Sequence, residues 1–220
     1  MSRLRNTSAR WRVGLAAALF SVLYLLSDVL EAIQGGFSDS QLVLTLVAEA
    51  AIPGFVVALY LVQRPAIGRL GRWSAIVYAY SFTFFTGTVV YALADRTRDY
   101  ATLSDRLQPW MTLHGAFMLL AGLGFGYAVL RAHVLPRWTG VALGAGVFFV
   151  AISQNMPEGV QVVAAAIRDL GFFGMGASLL RPAVSESTWE GTPDPQRGDL
   201  SVIAMAADNP THAWVGDARA

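Results

Sequence analysis

The chain contains no cysteine. Disulfides, thiolate metal sites, cysteine nucleophiles and thioether-linked haem are therefore excluded, and the redox compartment is left open. Lysine is absent too, because all sixteen basic residues are arginine. That removes Schiff-base chemistry on a lysine and phosphate binding by a P-loop lysine. Charge of either sign is scarce, at 14% of 220 residues against about 25% in an ordinary soluble domain. No H-E-x-x-H, H-x-x-x-H, G-x-S-x-G, Walker or dinucleotide-binding glycine pattern occurs, so the common motif-borne enzymes have no support and no cofactor is implied.

What fills the chain is apolar. Hydrophobic residues make up 55% of positions, and mean hydropathy is +0.48. Six runs have the ~20 residues needed to cross ~30 Å of hydrocarbon, at about 13–33, 41–62, 73–93, 110–130, 138–155 and 159–180. Each crossing must satisfy its own backbone, and these runs are too long for barrel strands. The pattern predicts an all-α fold, a polytopic membrane bundle of six transmembrane helices. Pro157, in the turn between the last two, suits the first turn of a new helix. Arg3, Arg5, Arg10 and Arg12 precede the apolar run from Val13, as in a secretory signal. With Asp28 and Glu31 where a small-residue cleavage site belongs, and five further spans behind, an uncleaved signal anchor is the better reading.

Arginine placement predicts orientation. Those four, with Arg64, Arg69, Arg72, Arg131, Arg137 and Arg181, all fall on one side of the six spans. The other side holds Arg96, Arg98 and Arg106, which Asp95, Asp99 and Asp105 offset. Both termini are therefore expected in the cytoplasm, and the protein in the cell inner (plasma) membrane as a multi-pass chain with the lipid bilayer as its partner. Residues 1–181 form the membrane domain on this reading. Residues 182–220, rich in proline and scattered acids, are expected to be a disordered cytoplasmic tail that offers a protein partner a docking segment. Nucleic-acid binding has no basis, because the arginines lie where topology places them.

The apolar runs carry ionisable residues that are costly in hydrocarbon. Taking ~1.5 Å per residue, Glu31 lies roughly 6 Å and Asp28 about 10 Å below the outer end of the first span. Glu49 lies about 12 Å into the second, just before Pro53 and Gly54, and His114 about 6 Å into the fourth. Arg168 and Asp169 reach about 14 Å into the sixth, while Gln154, Asn155, Glu158 and Gln161 crowd the outer turn before it. These positions predict an acidic polar cavity in the outer leaflet. Four carboxylates face one permanent cation, Arg168, and one imidazole, His114, so the balance needs protons, a bound cation or water. Arg168 is expected to pair with Glu49 or Asp28. Adjacent residues diverge by about 100° around a helix, so Arg168 and Asp169 are not expected to share one partner.

Candidate catalytic residues are Glu49, Asp169, Asp28 and His114; candidate ligand-binding residues are Glu31, Arg168, Gln161 and Asn155. A hard divalent ion is chemically admissible among the carboxylates, but their spacing is not diagnostic and no metal site is assigned. Small-residue spacings at Gly122/Gly126 and Gly140/Gly144 predict close helix approach, and Trp11, Trp73, Trp110 and Trp138 mark span ends.

The run Leu113-His114-Gly115 through Leu130-Arg131, followed by Val134-Leu135-Pro136-Arg137-Trp138-Thr139-Gly140, resembles small bacterial integral membrane proteins of unknown function. The resemblance implies membrane location and a helical bundle, and carries no active-site residues. Three functional classes follow from the polar positions. One is an enzyme, an isomerase or cyclase, using a carboxyl as general acid and a neighbouring carboxylate or His114 as base on a lipophilic small molecule. The others are an accessory subunit that docks a partner, and a proton- or cation-coupled carrier or sensor. A reporter fused after Arg181 is expected to be active only in the cytoplasm; activity on the opposite side would overturn the orientation.

Overall fold

A computed structural model describes residues 7–181, and the expected tail at 182–220 lies outside the described residues. The described residues form seven helices and no strand: α1 (Thr7–Gln34), α2 (Asp39–Val62), α3 (Gly68–Asp95), α4 (Tyr100–Arg106), α5 (Trp110–Ala132), α6 (Arg137–Ile152) and α7 (Glu158–Leu180). Five of them, α1, α2, α3, α5 and α7, are long and apolar enough to cross a membrane. The expected span at 138–155 is shorter than the sequence suggested. α6 stops at Ile152 after 16 residues, about 24 Å of helix, because Ser153 caps it and the chain turns at once toward Pro157. The short α4, inside the loop after α3, has no counterpart in the hydropathy pattern.

Local chemistry sets the boundaries. Gly35 adopts φ +68° and donates its N–H back to the Glu31 carbonyl, which ends α1 with the left-handed residue a helix stop favours. Ser38 accepts the Gln41 N–H to start α2, and Asp39 places a negative charge in its first turn. Asp99 accepts the Thr102 N–H at 2.7 Å to start α4, and this bond holds its carboxyl below the usual carboxylate range. α2 runs through Pro53, whose missing N–H leaves the carbonyl four residues earlier, that of Glu49, without its helical donor.

The six longer helices close into a ring. Each packs on its sequence neighbour, α3 passing over α4 to α5, and α7 returns against α1. The centre is filled by Phe55, Tyr78, Phe82, Phe125, Leu143, Phe172 and Met175, all nearly or fully buried. A smaller cluster of Leu42, Val89, Ala92 and Leu103 seats α4 against the ends of α2 and α3. The outside is apolar in the manner of a lipid-facing surface. On α1, exposed Leu15, Leu19, Val22, Leu26 and Ile33 fall within an arc of about 60°, and Tyr24, Asp28 and Glu31 lie on the opposite side. Trp11, Trp73, Trp110 and Trp138 are half or more exposed and sit within the first six residues of α1, α3, α5 and α6.

The glycine spacings act as expected between α5 and α6. A β-carbon on Gly126 would meet the Gly140 carbonyl oxygen at 2.7 Å, and one on Gly140 would meet the Gly126 oxygen at 2.6 Å, so the two backbones touch. The ring closes by the same device. A β-carbon on Gly14 of α1 would lie 2.7 Å from the carbonyl oxygen of Gly176 on α7. Gly126→Ala is expected to destabilise the fold by about 1–3 kcal/mol through overpacking, whereas Gly54→Ala, which meets nothing within 4 Å, is expected to be neutral or slightly stabilising. Thermal unfolding in one detergent compares them, and equal midpoints would contradict backbone contact at Gly126.

Candidate functional site

Charge is gathered where α1, α2 and α7 meet. Tyr24 of α1, Glu49 of α2 and Arg168 of α7 each lie ten residues from the nearer helix end, about 15 Å along the axis. They therefore meet at one depth, well inside the bundle. The Arg168 guanidinium is the centre. It donates from Nε to Asp169 Oδ1 at 2.9 Å and from Nη2 to Asp169 Oδ2 at 3.1 Å, a two-pronged pair. Its Nη2 also reaches Asp28 Oδ2 at 3.4 Å, and its Cζ lies 4.5 Å from the centroid of the Tyr24 ring, within cation–π range.

This differs from the expected pairing. Arg168 does bond Asp28, but its main partner is its own neighbour Asp169, and it makes no hydrogen bond to Glu49 among the described residues. The two side chains do leave the helix in different directions. The long arginine stem bends back across that angle, which spacing alone does not reveal. Gly146 of α6 makes room for it: a β-carbon there would collide with the backbone of Arg168.

Glu49 is held differently. The Tyr24 hydroxyl donates to its Oε1 at 3.1 Å, while Oε2 is buried with no partner among the described residues. The Tyr78 hydroxyl of α3 is likewise buried and unpartnered. Above Glu49, toward the α1–α2 turn, Gln41 donates from Nε2 to Thr45 Oγ1 at 3.0 Å and to Glu31 Oε2 at 3.3 Å. The spacing Gln41, Thr45, Glu49 puts all three on one face of α2. Below the cluster the interior turns aromatic. Tyr24 meets Phe82 edge-on, Phe82 meets Tyr78, Tyr78 stacks on Phe172, and Phe172 meets Phe55.

The structure thus brings together Asp28, Glu49, Arg168 and Asp169, and links Glu31 to them through the α1–α2 seam. It sets the other three candidates apart. His114 lies in an aromatic group on α3 and α5. Its Nδ1 faces the Trp110 carbonyl at 2.8 Å, its Nε2 faces the Tyr80 hydroxyl at 3.0 Å, and its ring stacks on Phe84 with centroids 3.6 Å apart. Gln161 donates to the Met156 carbonyl at 2.9 Å and so closes the α6–α7 turn, in which Asn155 is exposed. Tyr24, Gln41, Thr45 and Tyr78 were not among the sequence candidates. The first three were accessible to pattern, since Tyr24 is one turn from Asp28, and Gln41 and Thr45 are two turns and one turn from Glu49. Among the described residues, no group of three or more His, Cys, Asp or Glu is arranged to hold a metal ion.

A shallow groove of about 250 Å³ runs along α6 and α7, lined by Phe149, Ile152, Val160, Val163, Ala164 and Ile167 with Met156 and Ser153. Ile167 precedes Arg168 in the chain and so joins the lipid side of α7 to its charged side.

An all-α bundle with an apolar exterior, five helices of membrane-crossing length and a buried charged centre is the class of protein these features define. No family model, curated protein or solved structure matches the chain.

Arg168→Leu strands Asp169 and Asp28 without a cation and is expected to destabilise the protein by about 3–5 kcal/mol. Arg168→Leu combined with Asp169→Leu is expected to recover much of that loss. Thermal unfolding of both variants and the parent reads it, and a double variant no better than the single would show that the ion pair is not the source.

Proposed function

We propose that this is an inner-membrane protein of six crossings with cytoplasmic termini, whose cluster around Glu49 is an acid/base site for isomerising or cyclising a lipophilic small molecule. Ten arginines that fall on one side of the six spans in the sequence support the orientation. The short α6 completes the sixth crossing with help from residues 153–157 or from local bilayer thinning, at a modest energetic penalty.

One observation carries the chemical reading. Glu49 is a buried carboxyl with one oxygen fixed by Tyr24 and the other unpartnered, deep in an apolar bundle. Arg168 pairs with Asp169 and Asp28 and makes no hydrogen bond to Glu49, so Glu49 is the carboxyl of the cluster outside the ion pairs and the one suited to hold a proton. In the proposed reaction the Glu49 O–H bond breaks as its proton adds to a substrate double bond. The Asp28 carboxylate then takes a proton from an adjacent carbon, which leaves the double bond shifted. The ring faces of Tyr24, Phe82 and Tyr78 suit the positive charge that develops between those steps. The α6–α7 groove is of a kind that holds an apolar chain beside α7. His114 has no part in this scheme, because both ring nitrogens face partners elsewhere.

A proton- or cation-coupled carrier is the second reading, favoured by the polar seam through Glu31, Gln41 and Thr45. A carrier needs access from two sides, and the aromatic floor formed by Tyr78, Phe82, Phe172 and Phe55 counts against a second route. Docking of a partner subunit through 182–220 would rest on residues outside those described.

Native mass spectrometry of the purified protein, followed by turnover of the lipophilic compound it retains, tests the enzyme reading. Glu49→Gln is expected to keep the fold and the bound compound while lowering turnover about 10²–10⁴-fold, the usual worth of a general acid. Undiminished turnover in that variant would overturn the assignment.

A further inference from the structure

An acid that donates its proton must recover one, and the polar side chains that share Glu49's face of α2, Thr45 and Gln41, lie toward the α1–α2 turn. Asp28 keeps 23% of its side chain accessible although it pairs with Arg168. It lies opposite the lipid-facing arc of α1, on the side of the helix that carries Tyr24 and Glu31. Across from it, α2 turns Gln41, Thr45 and Glu49 away from its own exposed residues Val43, Val47 and Val57. The inward faces of α1 and α2 therefore meet in a polar seam that begins at the half-buried Glu31, close to the α1–α2 turn. Two buried acceptors in it lack protein donors, Gln41 Oε1 and Glu49 Oε2. Buried polar atoms of this kind ordinarily bind water, which makes about three hydrogen bonds to such groups.

We propose that the α1–α2 seam lined by Glu31, Gln41 and Thr45 holds a short chain of water molecules through which Glu49 exchanges protons with one end of the bundle. The inference rests on the reading of Glu49 as the proton-holding group and goes beyond it by naming the route. In each exchange the bond between Oε2 and hydrogen breaks as the proton passes to a water oxygen, and the chain returns a proton to the same oxygen; nothing is oxidised or reduced. Oε1 is occupied by the Tyr24 hydroxyl, so Oε2 is the exchanging atom. The groups that face Glu49 are Tyr24 and Asp28 from α1, with Glu31 higher on the same face, and Arg168 from α7; Asp169 and, from α3, Tyr78 lie near Arg168. Toward the opposite end the path stops. Tyr78 and Phe82 are wholly buried, Phe172 is 1% exposed, and Ser21, one turn below Tyr24, spends its hydroxyl on the Ala17 carbonyl.

Infrared spectroscopy of the full chain in lipid nanodiscs, transferred from H₂O to D₂O, provides the test. The protonated-carboxyl band lost in Glu49→Gln identifies Glu49, and its deuterium shift gives the exchange rate. Thr45→Val and Gln41→Leu are each expected to slow that rate by about tenfold, the kinetic equivalent of one lost hydrogen bond. Thr45→Ser, which keeps the hydroxyl, and Ser21→Ala, on the closed side, are expected to exchange like the parent. Three results would overturn the route: no Glu49 band, parental rates in both seam variants, or equal slowing in Ser21→Ala. Parental rates in the seam variants together with lost turnover in Glu49→Gln would remove the route and leave the enzyme reading standing. Absence of the Glu49 band would remove both.

Discussion

One guanidinium organises the interior of this protein. Arg168 is surrounded by Asp169, Asp28 and the Tyr24 ring, and in a low-dielectric bundle none of these charges is tolerable alone. The two-pronged bond to Asp169 makes a compact pair on a single helix. The longer bond to Asp28 and the contact with Tyr24 then tie that pair to α1. Because Tyr24 also donates to Glu49, the same contacts bring α2 into register with the other two helices. The fourth charged member is left with a neutral partner, and that asymmetry gives Glu49 its chemical interest.

The register depends in turn on how closely the backbones approach. Interhelical polar contacts within membranes average only about 0.6 kcal/mol, so they do not hold a ring of six helices together by themselves. Glycine contacts at α1–α7, α5–α6 and α6–α7 let dispersion and packing do so. At Gly146 the two requirements meet, since the surface that lets α6 touch α7 is the one that backs Arg168. The site is thus built on rigid elements, and none of its charged members belongs to a loop.

Among the described residues, the buried ionisable groups gather toward the end of the bundle that holds the α1–α2 turn. From the α1–α2 turn downward, Glu31, Gln41, Thr45, Asp28 and Glu49 form a descending polar series that ends on aromatic rings.

The α-helical class, the apolar runs and most helix boundaries were legible in the chain, because hydropathy over twenty residues and stops such as Gly35 and Ser38 act locally. Asp28, Glu49, Arg168 and Asp169 were also legible as candidates, since charge in an apolar run is conspicuous whatever the fold. Distance along a helix even predicted their common depth. Partnership was not legible. Spacing separated Arg168 from Asp169 by their helical directions, but a flexible arginine stem folds back onto its neighbour. His114 looked like a member of the group, yet helix rotation turned it toward Tyr80 and Phe84 on α3. The length of α6, the presence of α4 and the place of Tyr78 beside the cluster also depended on packing. By itself the sequence determined which residues cannot rest in hydrocarbon unaided. Only the tertiary structure decided which of them support one another, because pairing depends on helix rotation and close backbone approach between segments far apart in the chain.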